Sequence, residues 1–256
     1  MNIIILNDYE YAKQMLNMRS LGHKPYQTIV RVAKYLMDIE KCPKKLLKHK
    51  IELYIAQCNT STPLPKWSEL IDHAISHAQK YNVVDIESIN ITKAEMEKIN
   101  SLQGRQLKRL AFTLLCLAKY WNIANNTDTG WVNSSESQIM RHANISTSLK
   151  RQSAMYAKLK ELDMIDTSMR VDNTNVRVKY IDDDSEIVLR ITDFRNLGFQ
   201  YHMFIGEPYY ICSNCGITSK VHNPGKGRYP KYCPICAQKL RVQRTINNVM
   251  SKEVRR

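Results

Sequence analysis

Along residues 1–100 apolar side chains return every three or four positions, the period of helices that bury one face. Asn7 and Asp8 suit the cap of a helix carrying Tyr11, Met15, Leu16 and Met18. Pro25, whose fixed φ fits a first helical turn, opens a second with Ile29, Val32, Ala33, Leu36 and Met37. Leu46, Leu47, Ile51, Tyr54 and Ile55 predict a third over Lys44 to Ala56. The stretch NTSTPLPKW at 59–67 has turn composition, and helical spacing resumes from Ser68 to Tyr81. Residues 83–92 (VVDIESINIT) read as extended, and Thr92-x-x-Glu95 is a capping box that opens a short helix.

From residue 106 the pattern becomes more specific. Gln106 to Asn122 is one apolar-faced helix, followed by the loop IANNTDTG at 123–130 and a short strand at Trp131-Val132. A second capping box, Ser135-x-x-Gln138, opens a helix through His142. A tight turn follows at 144–146, and Ser146 is expected to cap a helix running to about Asp163. Three β-branched, roughly alternating runs come next, at 165–171, 176–182 and 186–192, with hairpin turns expected at 172–175 and 183–185. Helix, short strand, helix, turn, helix, hairpin is the order of a winged helix-turn-helix, and residues 106–192 resemble such a domain. The run MYAKLKELDMID at 155–166 is similar to the end of many winged-helix recognition helices. The whole chain resembles winged-helix proteins with a terminal zinc ribbon found in phages and prophages of Gram-positive bacteria, which implies a setting more than an activity.

On a helical wheel of 146–163, Leu149, Met155 or Tyr156, Leu159 and Leu162 fall on one side. Thr147, Lys150, Arg151, Ala154 and Lys158 fall on the other, at i, i+3, i+4, i+7 and i+11. A face that is small or polar at its start, with Ser146 and Thr147, and basic along its length suits a major groove, although a plain solvated face has the same composition. Arg170, Arg177 and Lys179 flank the expected wing turn, where basic side chains can reach a minor groove or backbone.

Charge sharpens this picture. The 256 residues carry a formal net charge of +14, which favours an acidic partner such as nucleic acid. From Glu207 onward ten basic residues face only Glu207 and Glu253, so eight of those net charges lie in the last fifth of the chain. No apolar run approaches the roughly 20 residues of a membrane span, and the opening MNIIILNDYEYAK lacks the basic start of a secretion signal. The expectation is a cytoplasmic protein, in whose reducing surroundings clustered cysteines signal metal rather than disulfides.

Four of the seven cysteines form Cys212-x2-Cys215-x17-Cys233-x2-Cys236. Two thiolates on one short turn reach a single ion, and a gap of this length lets a second turn complete a tetrahedron at a Zn–S distance of about 2.3 Å. Gly216 and Pro234 make the two pairs resemble the knuckles of a zinc ribbon, with Tyr210 and Tyr232 placed as strand residues. An iron–sulfur cluster and a thioredoxin-like redox pair are the alternatives. Four thiolates leave no open position and no glutamate lies between the pairs, so one structural Zn2+ is expected and no catalytic residue. Between the pairs runs a basic loop with Lys220, Lys226, Arg228, Tyr229 and Lys231, able to follow a phosphate backbone and stack on a base. Behind them the tail 237–256, with Arg241 and Arg244, is amphipathic at helical spacing.

Other features carry less. His73 and His77 lack the glutamate of a metalloprotease helix, Asp182 to Asp184 sit where the chain turns, and Cys116 lies on an apolar face. The expected fold class is mainly α with a small β part (α+β). It divides into a helical region at 1–100, a winged helix-turn-helix at 101–200, a zinc ribbon at 201–240 and a basic helical tail at 241–256. The expected function is non-enzymatic DNA binding in replication or transcription of a phage or mobile element, with no small-molecule substrate and no membrane. Two other readings stay open: a module that docks on or inhibits a host or phage nucleic-acid enzyme, and an RNA-binding protein.

Overall fold

The structure, a computed structural model, describes residues 4–22, 24–58, 62–168, 175–222, 225 and 229–253. Cα packing divides the chain into two units, Met1–Glu87 and Ser88–Arg256. Ten α-helices and three small antiparallel sheets among the described residues make the chain mainly α with a small β part. No helix among them is long and apolar enough to cross a membrane.

The first unit contains α1 (Asp8–Met18), α2 (Pro25–Asp38), α3 (Lys44–Gln57) and α4 (Ser68–Lys80). Their apolar stripes meet in one core in which Ile29, Val32, Ala33, Ile51, Ile71, Ala74 and Ala78 are all inaccessible to solvent. Asn7 caps α1, its side-chain oxygen accepting from the Glu10 N–H at 2.8 Å. Asp8 is buried in the same first turn, where a helix favours an anion. It accepts from Arg31 Nε at 2.5 Å, the Tyr81 hydroxyl at 3.0 Å and the Val84 N–H at 2.9 Å, so one carboxylate fastens α1 to α2 and to the chain leaving α4. Part of the expected loop at 59–67 is a short 3-10 turn at Leu64–Trp67 that leads into α4. His73 and His77 are exposed on α4, as a helix-surface reading has it.

The second unit begins with β1 (Ile89–Thr92), α5 (Lys93–Ser101) and the long α6 (Arg105–Asn125). Both expected capping boxes form, at Thr92/Glu95 and Ser135/Gln138. Helix α6 is the axis: Leu110, Ala111, Phe112, Leu114, Leu115, Cys116, Leu117 and Ala118 are all solvent-inaccessible, because a helix apolar on every side must be covered on every side. Each such leucine or phenylalanine contributes about 1.5–3 kcal/mol relative to exposure. The helix runs to Asn125, through the start of what its polar residues suggest is a loop.

Around α6 lie β2 (Trp131–Val132), α7 (Glu136–His142), α8 (Leu149–Glu161), β3 (Ile165–Thr167) and β4 (Val176–Val178). The strands form one antiparallel sheet in the order β2-β4-β3, with Val132 opposite Val176 and Ile165 opposite Val178. The third expected strand does not join it. β5 (Ile187–Ile191) pairs instead with β1, Ile89 opposite Ile191 and Ile91 opposite Leu189, so 183–185 is not a hairpin turn between neighbouring strands. Between β4 and β5, Tyr180 turns into the core and donates its hydroxyl to the Ala111 carbonyl at 2.7 Å, which ties the chain to α6 where it leaves the β2-β4-β3 sheet. The cap of α8 also differs: Ser148, not Ser146, occupies the N-cap position. Of the expected wing turn at 172–175, residues 172–174 lie outside the described residues, as does Arg170.

After β5 come α9 (Leu197–Phe204), β6 (Tyr209–Ile211), β7 (Thr218–Lys220) and α10 (Pro234–Glu253). β6 and β7 form a hairpin, Tyr210 opposite Ser219. Tyr210 is the strand residue expected of it, whereas Tyr232 lies in a bend and uses its carbonyl to accept from the Tyr210 hydroxyl at 3.0 Å. Helix α10 starts inside the second cysteine pair, earlier than the tail pattern indicates.

Candidate metal centre and candidate nucleic-acid interface

The turn after β6 carries Cys212 and Cys215, and the entry to α10 carries Cys233 and Cys236. One sulfur from each lies within 4.8 Å of all the others. A tetrahedron with metal–sulfur bonds of about 2.3 Å has edges of about 3.8 Å. The Cys215–Cys233 separation is 3.8 Å. Local backbone fixes the first pair: Gly216 holds φ at +72°, a conformation a side chain rarely adopts, and its N–H returns to the Cys212 carbonyl at 2.9 Å. N–H groups also aim at the sulfurs, from Cys233 to Cys212 Sγ at 3.2 Å and from the Asn214 amide to Cys236 Sγ at 3.3 Å. Burial acts to raise the Cys212 thiol, yet donation from the Cys233, Asn214 and Cys215 backbone amides outweighs it and brings the group down to about 6. Burial pushes Cys215 up to about 12 and raises Cys233 as well. Buried thiols of this kind fit a cation, which removes their protons on binding. The set therefore suits one tetrahedrally held metal ion with no position left for a reactant, a clip that joins the β6–β7 hairpin to α10.

The basic face lies on α8. Met155 and Leu159 are buried, and Lys150, Arg151, Ser153, Ala154, Ala157 and Lys158 are exposed. Two of the expected inward residues are not inward: Leu149 is 73% exposed and Leu162 46%. They are the first helical residue and the residue after the last, beyond the stretch that packs. Among the described residues the side chains of Lys150 and Arg151 make no hydrogen bond or ion pair, while the Arg151 backbone N–H donates to the Ser148 carbonyl at 3.0 Å. Lys158 pairs with Glu161 at 3.0 Å. Ser146 is exposed and Thr147 half-buried, its carbonyl accepting from the Gln152 amide at 2.9 Å. On β4, Arg177 donates to the Thr129 carbonyl at 3.0 Å, and Lys179 beyond it is held by Asp163. Lys220, Tyr229 and Lys231 are exposed near the cysteines, and Arg241 and Arg244 along α10. Lys231 also lies over the Tyr232 ring. Lys226 and Arg228 lie outside the described residues.

No family model, curated protein or solved structure matches the chain.

Residues that pattern reading passes over connect the two places. Asp193, Arg195 and Asn196 follow β5 in a stretch without periodicity. Arg195 donates through Nη2 to the Cys215 carbonyl at 2.7 Å, and its Nε is held by Asp193 Oδ2 at 2.7 Å. Asn196 donates to the Thr218 carbonyl at 3.0 Å and accepts from the Asn144 amide at 2.9 Å. The only local signal is an Asp-x-Arg-Asn cluster just past a strand, and nothing in it names its partners.

Proposed function

We propose that the second unit is a DNA-binding module in which α6, β2, α7, α8, β3 and β4 form a winged helix-turn-helix and the four cysteines hold a structural Zn2+. The observation that carries the reading is the start of α8, where the side chains of Lys150 and Arg151 stand exposed with no partner among the described residues, on a helix reached through a tight turn from α7. Uncommitted cations at the leading end of such a helix meet phosphates or guanine edges without first giving up a bond. The sheet order β2-β4-β3 is the one a winged helix uses to brace its third helix, which supports the same reading. Tyr229, Lys220, Lys231, Arg241 and Arg244 add exposed contacts to the backbone from the cysteine module and α10. Among the described residues no side chain of either site is placed as a general base beside an open position, and the role in this reading is binding without catalysis, in the replication or transcription of a mobile element. Zn2+ is the ion that suits four thiolates in a closed tetrahedron, and its contribution is to fold the segment it clips.

The test is duplex binding by fluorescence anisotropy across a salt series. Lys150→Ala plus Arg151→Ala should weaken binding at least about tenfold at physiological salt and reduce the salt slope by about 2. Undiminished binding refutes the α8 interface. Zinc content by elemental analysis should be one ion per chain, and a metal-free protein with a folded C-terminal segment refutes the clip. A second reading has its own observation: Ile211 and Ile235 on the cysteine module are 56% and 68% exposed, as in a surface that docks on another protein. Absence of duplex binding even at low salt favours that reading.

A further inference from the structure

The chain between β5 and α9 touches the candidate metal centre on one side and the α7–α8 turn on the other. Toward the metal centre, Arg195 reaches the carbonyl of Cys215, and Asn196 reaches the carbonyl of Thr218 at the start of β7. Toward α8, the Asn196 side chain accepts from Asn144, and the His142 ring donates Nδ1–H to the Phe194 carbonyl at 2.7 Å. Backbone contact is equally close. A Cβ on Gly198 would sit 2.1 Å from the Ala143 carbonyl oxygen, so the first turn of α9 lies directly on the chain that leaves α7. Asn144 and Asn196 both hold φ at 56°, so each is pinned in a conformation that few residues adopt. Gln200 closes the segment by donating to the Asp193 and Arg195 carbonyls at 2.6 and 2.9 Å.

We infer that 193–198 is a coupling strap, through which metal bound by Cys212, Cys215, Cys233 and Cys236 orders the 142–147 turn and so fixes the bearing of α8. The inference rests on the metal-binding reading and not on the nucleic-acid one. Four thiolates and one divalent ion leave a net charge of −2, and the Arg195 guanidinium, anchored by Asp193, lies against the knuckle that carries it. Metal loading strengthens the grip of that knuckle on Arg195 and Asn196. Asn196 passes the constraint to Asn144 through a single side-chain amide. Arg195 and Asn196 act as positioning residues, and neither ligates the metal.

Reciprocity makes the coupling measurable without any nucleic acid: if metal orders the turn, the turn must set metal affinity by the same factor. The full chain is prepared with Zn2+ and with Zn2+ removed by a chelator, and amide hydrogen exchange is followed at 142–149, 209–220 and 110–118. Removal should speed exchange at 142–149 about tenfold, the effect of losing one or two hydrogen bonds, while 110–118 in α6 stays protected. Asn196→Gly, which keeps the backbone conformation accessible, should show the faster exchange at 142–149 even when loaded, with 209–220 still responding to Zn2+. Competition with a chromophoric chelator should show Arg195→Met binding Zn2+ about 10- to 100-fold more weakly. Asn144→Gly, far from every cysteine in sequence, should weaken it about fivefold. Exchange at 142–149 that ignores Zn2+ while 209–220 responds overturns the strap alone, as does unchanged affinity in Asn144→Gly. A rise spread evenly through α6 also overturns it. A chain that binds no Zn2+ overturns both the strap and the metal-binding reading.

Discussion

Replacing Lys119 with methionine should destabilise the second unit by about 3–5 kcal/mol, the cost of leaving a buried charge without its counter-ion. The magnitude follows from the surroundings of Glu95, whose side chain has no solvent exposure. Its two oxygens accept from the Thr92 N–H at 2.8 Å and the Asp182 N–H at 3.0 Å, and the Lys119 ammonium spans both, at 2.8 and 3.0 Å. Lys119 also donates to the Asn90 carbonyl at 2.8 Å and meets the exposed Asp183 at 2.8 Å. One buried pair thus joins β1, α5, α6 and the chain entering β5, the very strand that departs from the expected wing. Methionine matches the lysine stem in volume, so packing changes little and the loss reports charge. Glu95→Gln alone should cost about 1–3 kcal/mol, because a neutral amide keeps only part of the hydrogen bonding. The double variant should fall short of the summed losses by about 2 kcal/mol, since removing both charges spares the unpaired one. Opening free energies come from native-state hydrogen exchange of α6 amides, which reports the second unit separately from the first. A Lys119→Met loss below about 1 kcal/mol, or strict additivity in the double variant, refutes this account of the pair.

Two further outcomes follow from the same unit. Gly198→Ala ordinarily favours a helix by about 1 kcal/mol, but here the new methyl would meet backbone at Ala143, so a drop in Tm is expected and an unchanged or higher Tm contradicts the close approach. Burial holds the His142 imidazole below its ordinary 6.5, and its bond to the Phe194 carbonyl only partly offsets this. The unfolded chain therefore takes up the proton first, so the contribution to stability is full above that value and declines as pH falls through it. His142→Gln should flatten the loss of stability between pH 7 and 5, and parallel profiles for the two proteins count against the assignment.

How far the sequence speaks depends on the range of the interaction. Capping boxes at Thr92 and Ser135 are legible because their donors and acceptors lie three residues apart, and both form. The cysteine cluster is legible because metal geometry dictates x2 spacing, and the four sulfurs do converge. The fate of β5 is not legible. Its alternation fits a fourth strand beside β2-β4-β3 as well as a partner for β1, and the contacts that accompany the outcome, such as Tyr180 on Ala111 sixty-nine residues away, are long-range. The same holds for Leu149 and Leu162: a wheel assigns an angle to each, but coverage depends on where the neighbouring element ends. Arg195 and Asn196 bond backbone carbonyls of distant turns, and a carbonyl carries no residue identity for a pattern to detect.

The basic residues show why a count of charges is a poor guide to a binding face. Arg177 and Lys179 look equal to Lys150 and Arg151 in sequence, yet the first is tied to Thr129 and the second to Asp163, and each must surrender that bond before it can serve a phosphate. Such an exchange trades one solvent-screened contact for another and gains little. The contribution left to affinity is then counterion release alone. The side chains of Lys150 and Arg151 have no such bond to surrender among the described residues. Alanine at Arg177 and Lys179 should therefore lower duplex affinity less than alanine at Lys150 and Arg151, although each pair removes two positive charges. Equal losses from the two pairs in the same salt series would mean that net charge, and not the exposed start of α8, governs binding.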